Sequence, residues 1–411
     1  MRSLMFATVF CSAFSIAAVK AQPVQDGLSF HDAVRLAWAM DPVRSELQVG
    51  HRAARARANA AGSWFAGGPT LTGEYMDDHA IGSNEGYTTY QGGVSVPLWL
   101  PGQGSATQQV AGAESESISE QLNVEHLALS IKVLDTAAVL QIAQARLRVA
   151  NDLYKAASRI SQAAVHAVRS GELALSDSQM AQAGVENARN EQALAREAVN
   201  NASAEPEVLL GNSAGVDLEK SEGLAHARFV DTREMEDNDP RVKAAHRRVE
   251  AAHANMKLAR RSFMPNPEIG IDAIHEKQYG SPWDDRVGIN FSVPLPSEVR
   301  NTPIMSEASN RLAAADSEEI QARRMVHLEM IRVRERLLAA TAARQSARMA
   351  AENLDRRAAA QERAWQVGEV ALGTTLQAQQ DASTARLAQA RAEAEWRVAT
   401  IRMLLAMGVV P

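Results

Sequence analysis

The sequence predicts a mainly helical protein with a smaller β part, in which one unit of long helices and strands occurs twice. Similar segments recur in the same order about 197 residues apart, and two stretches of roughly 65 residues contain no helix-breaking signal. Two pairs of segments alternate apolar and polar residues, which is typical of strands. Aromatic residues make up only 5% of the 411 residues. Such a composition, rich in Ala, Arg, Glu and Gln, favours long helices packed through small side chains.

The repeat rests on five matches that keep their order along the chain. They pair Asp41-Pro42 with Asp239-Pro240, Pro69 with Pro267, Ser95-Val96-Pro97-Leu98 with Ser292-Val293-Pro294-Leu295, Gly171-Glu172-Leu173 with Gly368-Glu369-Val370, and Leu209-Leu210-Gly211 with the ending at Gly408. A shared offset indicates a tandem duplication. We expect a first repeat over residues 22–211, a polar linker over 212–239 and a second repeat over 240–411.

The N-terminus predicts export. Arg2 precedes a short apolar run, and small residues up to Ala21 form a cleavage site, so residues 1–21 match a secretory signal peptide. The only cysteine, Cys11, lies in this run, so the mature chain would have no disulfide and no thiolate chemistry. The net charge of −6 and the lack of a basic run argue against nucleic acid as a partner.

Each repeat reads as a helix, two strands, a very long helix and a further helix. Ser29, followed by Asp32, predicts a helix N-cap, and the helix is expected to continue to about Ser63. Strands are predicted over 69–76 and 87–98, and again from Ile269 and from Val287. Polar segments at 76–86 and 276–286 join the strands of each pair, and these are expected to be outer loops.

The long helices are expected to run from Pro101 to Gly171 and from Pro303 to Gly368, each spanning about 100 Å. In the first, apolar residues form two seams, which predicts helical neighbours on both sides, as in a ring of helices. One seam comprises Leu127, Ile131, Leu134, Ala138, Ile142, Ala145 and Val149, and the other Leu129, Val133, Leu140, Ala143 and Leu147. An ordinary bundle helix with a broad apolar face is the alternative.

No segment after the N-terminus has 18 uninterrupted apolar residues, so a membrane would have to be crossed by strands. Strands with one apolar face need a closed barrel, and four strands cannot close one because the smallest membrane barrels have about eight. Further copies of the chain would therefore have to supply the missing strands.

In this duplicated order the motifs resemble those of the TolC family of outer-membrane efflux proteins over the whole mature chain. The features that carry the resemblance are Leu28-Ser29-Phe30-His31-Asp32-Ala33, the segment 93–98 with its partner 291–295, the turns at Gly171 and Gly368, and the Leu-Leu-Gly endings. The resemblance implies a homotrimer whose strands form a 12-stranded outer-membrane β-barrel, continuous with a periplasmic α-helical barrel. Residues 212–239 would lie at the equator of the helical barrel.

The resemblance implies an exit duct that works with a periplasmic adaptor and an inner-membrane RND pump and contacts outer-membrane lipid. Pro265-Asn266-Pro267, and Pro294-Leu295-Pro296 followed by Arg300-Asn301, are similar to the heavy-metal branch, which exports cobalt, zinc and cadmium or copper and silver. Drug or general efflux and type I secretion are the alternatives within the family. A periplasmic coiled-coil adaptor or scaffold is the alternative of another class, and it requires polar outer faces on the strands.

The resemblance also places the functional residues at the periplasmic tips. The residues implied to contact the adaptor are Gly171, Glu172, Ser176, Gly368, Glu369 and Gly373. The family's aperture carries an aspartate six residues after the tip glycine, which here is Asp177. The corresponding positions in the second repeat are Thr374 and Gln377, which depart from the acidic pattern, so one carboxylate ring is expected. A plain helix-capping role for Asp177 is the alternative.

No motif for catalysis, cofactor binding or a resident metal is recognisable, so an enzyme is not expected. His246 and His253 could share a helix face, but no third ligand lies near them in sequence. Met325 and Met330, like Met403 and Met407, are expected to fill helix seams rather than bind soft metals.

Overall fold

A computed structural model describes residues 27–78, 86–211, 215–218 and 232–408. The predicted signal peptide and most of the predicted linker lie outside these residues. The helices are α1 Phe30–Met40, α2 Pro42–Ala60, α3 Gln103–Arg169, α4 Leu175–Leu210, α5 Thr232–Asn238, α6 Pro240–Arg261, α7 Glu298–Gln366 and α8 Leu372–Ala406. The strands are β1 Leu28–Ser29, β2 Thr70–Asp77, β3 Thr88–Pro97, β4 Val216–Asp217, β5 Glu268–Lys277 and β6 Asp284–Ser292.

The two halves contain the same elements in the same order, as the duplication predicts. Helix α2, strands β2 and β3, and helices α3 and α4 correspond in turn to α6, β5, β6, α7 and α8. The very long helices α3 and α7 contain 67 and 69 residues. Each would span about 100 Å at the rise of an α-helix.

Two predicted helix boundaries are wrong. The first helix does not continue from Ser29 to Ser63, because the chain is extended at Asp41, whose carboxylate caps α2 by accepting a hydrogen bond from Arg44 N at 3.0 Å. Pro42 then fills the first position of α2, where its missing N–H costs nothing. The second long helix begins at Glu298, ahead of Pro303, which lies in its second turn and removes one backbone hydrogen bond there. The predicted cap at Ser29 is confirmed, since its hydroxyl accepts from Asp32 N.

The four long strands form one antiparallel sheet in the order β2-β3-β5-β6. Strands β3 and β5 come from different repeats and pair over ten residues, so the sheet joins the two halves. The outer strands β2 and β6 each have one partner among the described residues.

The sheet has one apolar face, and this face is exposed. Leu71, Val94, Ile271 and Ile289 lie opposite one another in a single row across the four strands. Their exposed fractions are 82, 48, 61 and 69%, so none of the residues that the structure describes covers this face. The other face is polar: Ser95 donates to Glu268 at 2.9 Å, and Asn290 donates to Asp272. The apolar and polar residues that alternate along the sequence therefore lie on opposite faces of the sheet.

The helices change partners along the length of α3. Near the sheet, α2 and α6 lie on either side of α3, where Arg57 and Arg247 form ion pairs with Glu114 and Glu116 of that helix. Beyond its midpoint, α3 packs against α4 and α8. In the second half, α7 packs first against α6 and then against α8.

Both seams predicted for α3 are buried or half-buried, and the helix has neighbours on several sides. By length and composition alone α3 could cross a membrane, but half of its most apolar window is buried against the rest of the chain. At the change of partners, α1 and the ends of α4 and α8 pack on α3 around Phe30, Val133 and Leu134. Strand β1 also pairs there with β4. This core sits midway between the sheet and the far helix ends.

A polar network links the sheet to the helices. Gln103, the first residue of α3, is almost fully buried; its amide group accepts from Leu100 N at 3.1 Å and donates to Asn266 at 3.2 Å. Asn266 in turn donates to Leu98 O at 2.9 Å. In the second half, Arg300 and Asn301 donate to the carbonyl groups of Ser262 and Phe263. The Pro-flanked segments therefore fix the angle at which the strands meet the helices.

Leu134→Ala should destabilise the helical body by about 2–5 kcal/mol, because Leu134 is fully buried where α1, α3 and α8 meet. Urea unfolding of the purified protein, followed by circular dichroism, measures the change. Gln144→Ala is the control, since Gln144 is exposed on the same helix. Equal losses for the two variants would contradict this core assignment.

Candidate functional site

The two helical hairpins, α3–α4 and α7–α8, end in matching turns. Gly171 and Gly368 have φ angles of +81° and +78°, a left-handed conformation that glycine adopts without strain. Glu172 N donates to Ala167 O at 2.9 Å, and Glu369 N donates to Ala364 O at 2.9 Å. These bonds satisfy the last carbonyl groups of α3 and α7, as in a Schellman motif. Both turns therefore belong to the same rigid type.

The structure places both turns at the same end of the molecule. Ile160 and Ala164 of α3, Ala181 of α4 and Leu372 of α8 form one buried cluster, against which Trp365 of α7 packs. All four helices thus meet within a few turns of the tips. The two tips form one surface, although they are separated by 197 positions in the sequence.

The residues predicted for adaptor contact are all exposed. They are Gly171, Glu172, Ser176, Gly368, Glu369 and Gly373. A Cβ added at Gly171 or Gly368 would meet no atom within 4 Å, so both turns face open space. Leu175, inside the predicted segment 171–176, is 64% exposed, and Val367, which sequence reasoning missed, is 71% exposed. These side chains beside the glycines make part of the tip surface apolar. Helical periodicity alone does not predict that they are exposed.

The predicted aperture residues occupy equivalent helix starts. Asp177 lies in the first turn of α4, half-buried, and its N–H donates to Ala174 O at 3.1 Å. Thr374 lies in the first turn of α8, and its hydroxyl donates to Ala371 O at 2.6 Å. Neither helix has a side-chain N-cap. A carboxylate in a first turn without a cap is stabilised by the helix dipole, so the capping alternative for Asp177 stays open.

Gln377, the other predicted position, is exposed and donates to Asp381 at 2.8 Å. Asp381 also forms an ion pair with Arg357 of α7 at 3.3 Å. Sequence reasoning missed this carboxylate, although its position four residues after Gln377 on the same helix face is a readable signal. The second repeat thus carries this acidic group about two helical turns farther from the tip than Asp177 in the first, paired to a cation.

No group of three His, Cys, Asp or Glu residues that could hold a metal occurs in the described ranges. His246 lies between two carboxylates, with its ring nitrogens 3.4 Å from Glu319 and 3.6 Å from Glu250. These partners lie on α7 and α6, so His246 helps to join the two helices.

A long helical body, a sheet with an exposed apolar face and a pair of exposed helical tips are together typical of a membrane protein with a large part outside the membrane. The model of the family described as outer membrane efflux protein matches residues 39–212 and 232–409. The chain belongs to this outer-membrane efflux protein family, and it lies in the outer membrane. Members of the family are channels rather than enzymes.

Solved outer-membrane channels share the fold. CusC, whose crystal structures describe transmembrane channel formation, superposes with a TM-score of 0.74 at 14% identity, covering 92% of each chain. VceC of Vibrio cholerae gives 0.72 at 15% identity, over 92% of this chain and 96% of its own. The CmeC outer membrane channel of Campylobacter jejuni gives 0.72 at 13% identity, over 99% and 94%. No curated protein matches the sequence significantly.

Proposed function

We propose that the chain is the outer-membrane exit duct of a tripartite efflux system and acts as a homotrimer. Three sheets would form a 12-stranded barrel in the membrane, and three sets of helices a periplasmic barrel below it. The observation that carries this proposal is the exposed apolar face of the sheet, because a face of this kind is stable only against lipid or another apolar surface.

The edges of the chain support closure by identical copies. Strand β6 and helix α7 lie at one edge, and β2 with α2 and α4 at the other, so sheet and helices end at the same two boundaries. Backbone groups at a strand edge inside lipid must be paired, and a ring of copies pairs each β6 with the next β2. Such head-to-tail contacts close into a ring under rotational symmetry.

Helix α7 carries the side chains for this contact. Ala308, Ala315, Ala340, Ala351 and Ala358 form its buried stripe within the chain. Ile320, Ile331, Leu338 and Met349 form a second stripe, with exposed fractions of 51, 41, 60 and 48%. At about 100° per residue the two stripes lie roughly 140° apart around the helix. The second stripe fits a helix of the neighbouring copy.

The exposed turns of the two helical hairpins support the proposed protein partners. A periplasmic adaptor would dock on the exposed turns at Gly171 and Gly368, and an inner-membrane RND pump would deliver the cargo through it. The chain itself would need no cofactor, since export requires only a continuous passage. A free-standing adaptor or scaffold is disfavoured because it requires polar outer faces on the strands, whereas Leu71, Ile271 and Ile289 are apolar and exposed.

For the cargo we propose heavy-metal cations, with drugs or secreted proteins as the alternatives. The Pro-flanked segments around Asn266 and Asn301 support the metal branch, and in the structure they build the junction between strands and helices. Deleting the gene and measuring growth inhibition by copper, silver, cobalt, zinc and cadmium salts, alongside a panel of drugs, distinguishes the cargo classes. Sensitivity to drugs alone would reject the metal assignment.

Leu338→Asp should disrupt the trimer, because it would bury a carboxylate without a partner between α7 and the next copy. We expect the trimer to dissociate at a dodecyl sulfate concentration or temperature that leaves the wild type intact, with at least a tenfold loss of trimer on semi-native gels. Ala350→Asp is the control, since Ala350 is exposed about 120° away on the same helix. If both variants form a trimer as stable as that of the wild type, α7 does not lie in the interface.

The double variant Gly171→Trp/Gly368→Trp should abolish export and leave the trimer intact. Both positions face open space, so the cost is the left-handed backbone, about 1–2 kcal/mol at each turn. Export in cells that carry the pump and adaptor is measured beside the trimer band. The matched variant Gly112→Trp also faces open space, at a site far from the tips. Full export by the double variant would refute adaptor docking at the turns.

Asp177→Asn should weaken cation preference and divalent-ion block from the periplasmic side in planar bilayers. Three carboxylates around a narrow axis attract cations, and the amide keeps the shape without the charge. Asp152→Asn on α3 is the control, because Asp152 lies farther from the tip. Unchanged selectivity and block in a correctly assembled trimer would leave Asp177 with the helix-capping role alone.

A further inference from the structure

Four methionines from three helices converge at the equator of the second repeat. Met235 of α5 and Met330 of α7 are each only 6% exposed and belong to one buried cluster with Val242 and Val326. Met403, in the last turn of α8, and Met407, which directly follows that helix, pack against it half-buried. The sequence predicts that Met330, Met403 and Met407 fill helix seams rather than bind soft metals; the structure brings them together in one cluster.

The duplication supplies an internal comparison. At the repeat offset, Met235, Met330, Met403 and Met407 correspond to Ala37, Val133, Pro206 and Leu210 of the first repeat. Three of these, Ala37, Val133 and Leu210, lie together in the core of the first repeat, so the position is homologous. In the first repeat, side chains without sulfur fill this part of the core. All four equivalents are methionine in the second repeat, which packing alone does not require.

We propose that Met235, Met330, Met403 and Met407 form a binding site for one soft monovalent cation, Cu(I) or Ag(I). Thioether sulfur is the neutral, polarisable ligand that favours Cu(I) over hard divalent ions. Three thioethers complete a trigonal site for such an ion, and the fourth methionine provides an exchange ligand. Met403 and Met407 are half-buried residues, so the ion has a route from solvent on their side of the cluster.

The surroundings of the cluster suit a single positive charge. Glu236 follows Met235 in the chain, and its carboxylate is 2.5 Å from the His327 ring, one turn before Met330 on α7. Glu329 precedes Met330 and pairs with Arg241, whose other partner is the buried Asp239. Hydrogen bonds from Arg241 to Asp239, and then to Glu329, raise the pKa of the guanidinium, and the same bonds join these three side chains. The nearby carboxylates stabilise a cation without entering its ligand shell.

This inference goes beyond the proposed export role, because it concerns a metal site within the chain. Binding to that site can be measured on the isolated protein, without export. A protein that binds Ag(I) and does not export metals would retain the site and lose the cargo assignment, so the two failures are distinguishable.

The test is isothermal titration of the purified full chain in detergent with silver nitrate in chloride-free buffer. We expect one tightly bound Ag(I) per chain and no response to Zn²⁺ or Mg²⁺. The variant Met235→Leu/Met330→Leu/Met403→Leu/Met407→Leu keeps the volume of the core and should lose at least 100-fold in affinity. Met40→Leu/Met180→Leu/Met325→Leu is the matched control, since these three methionines are exposed elsewhere; it should bind like the wild type.

Absence of Ag(I) binding by the wild type, or equal binding by the cluster variant, would overturn the site. If the fourfold variant does not assemble, Met330→Leu alone and X-ray absorption of the silver-loaded wild type decide the question. A first shell made only of sulfur supports the site, and a shell dominated by nitrogen or oxygen refutes it.

Discussion

The rest of the structure depends on one constraint: backbone N–H and C=O groups inside a hydrocarbon layer must find partners in protein. Four strands satisfy this requirement internally at three junctions and leave it unmet at β2 and β6. Because the central junction joins β3 to β5 over ten residues, the duplicated halves are held in one sheet. What remains open among the described residues is the outer edge of β2 and the outer edge of β6, each with both N–H and C=O groups, and identical copies can close them.

The helices next to the sheet lie in the same order as the strands. Each strand pair continues into a long helix, and the buried Gln103 with Asn266 sets the angle of that continuation in the first repeat. The order α2-α3-α6-α7 near the sheet therefore repeats the order β2-β3-β5-β6. Beyond the equator α4 and α8 take the places of α2 and α6, so the wall keeps its helices while the chain turns back at Gly171 and Gly368.

Features with a short period or a strong local cause could be predicted from the sequence. Alternation at Ile269, Ile271 and Val287 gave the strands and their two faces, and the glycines gave the tips. The break at Asp41-Pro42 also has a readable cause, a capping aspartate before a first-turn proline, although apolar periodicity alone continues the helix through it.

Convergence of distant segments could not be predicted. The pairing of Asp381 with Arg357 depends on how α7 packs on α8, and the cluster of Met235 with Met330 and Met407 depends on three helices meeting at the equator. Helical periodicity assigns each residue to a face of its own helix, but it does not say which faces meet. The duplication supplies part of this missing information on helix contacts, because it shows which positions of the two repeats are equivalent.

The most direct test of the account is the alternation of environment along β5 and β6 in the assembled protein. Spin labels placed singly at Ile271, Asp272, Ile289 and Asn290 in lipid vesicles report accessibility to oxygen, which partitions into lipid, and to a water-soluble nickel complex. The account predicts high oxygen accessibility at Ile271 and Ile289 and high nickel accessibility at Asp272 and Asn290. Uniform access to the nickel complex at all four positions would contradict a lipid-facing sheet and the closed barrel that depends on it.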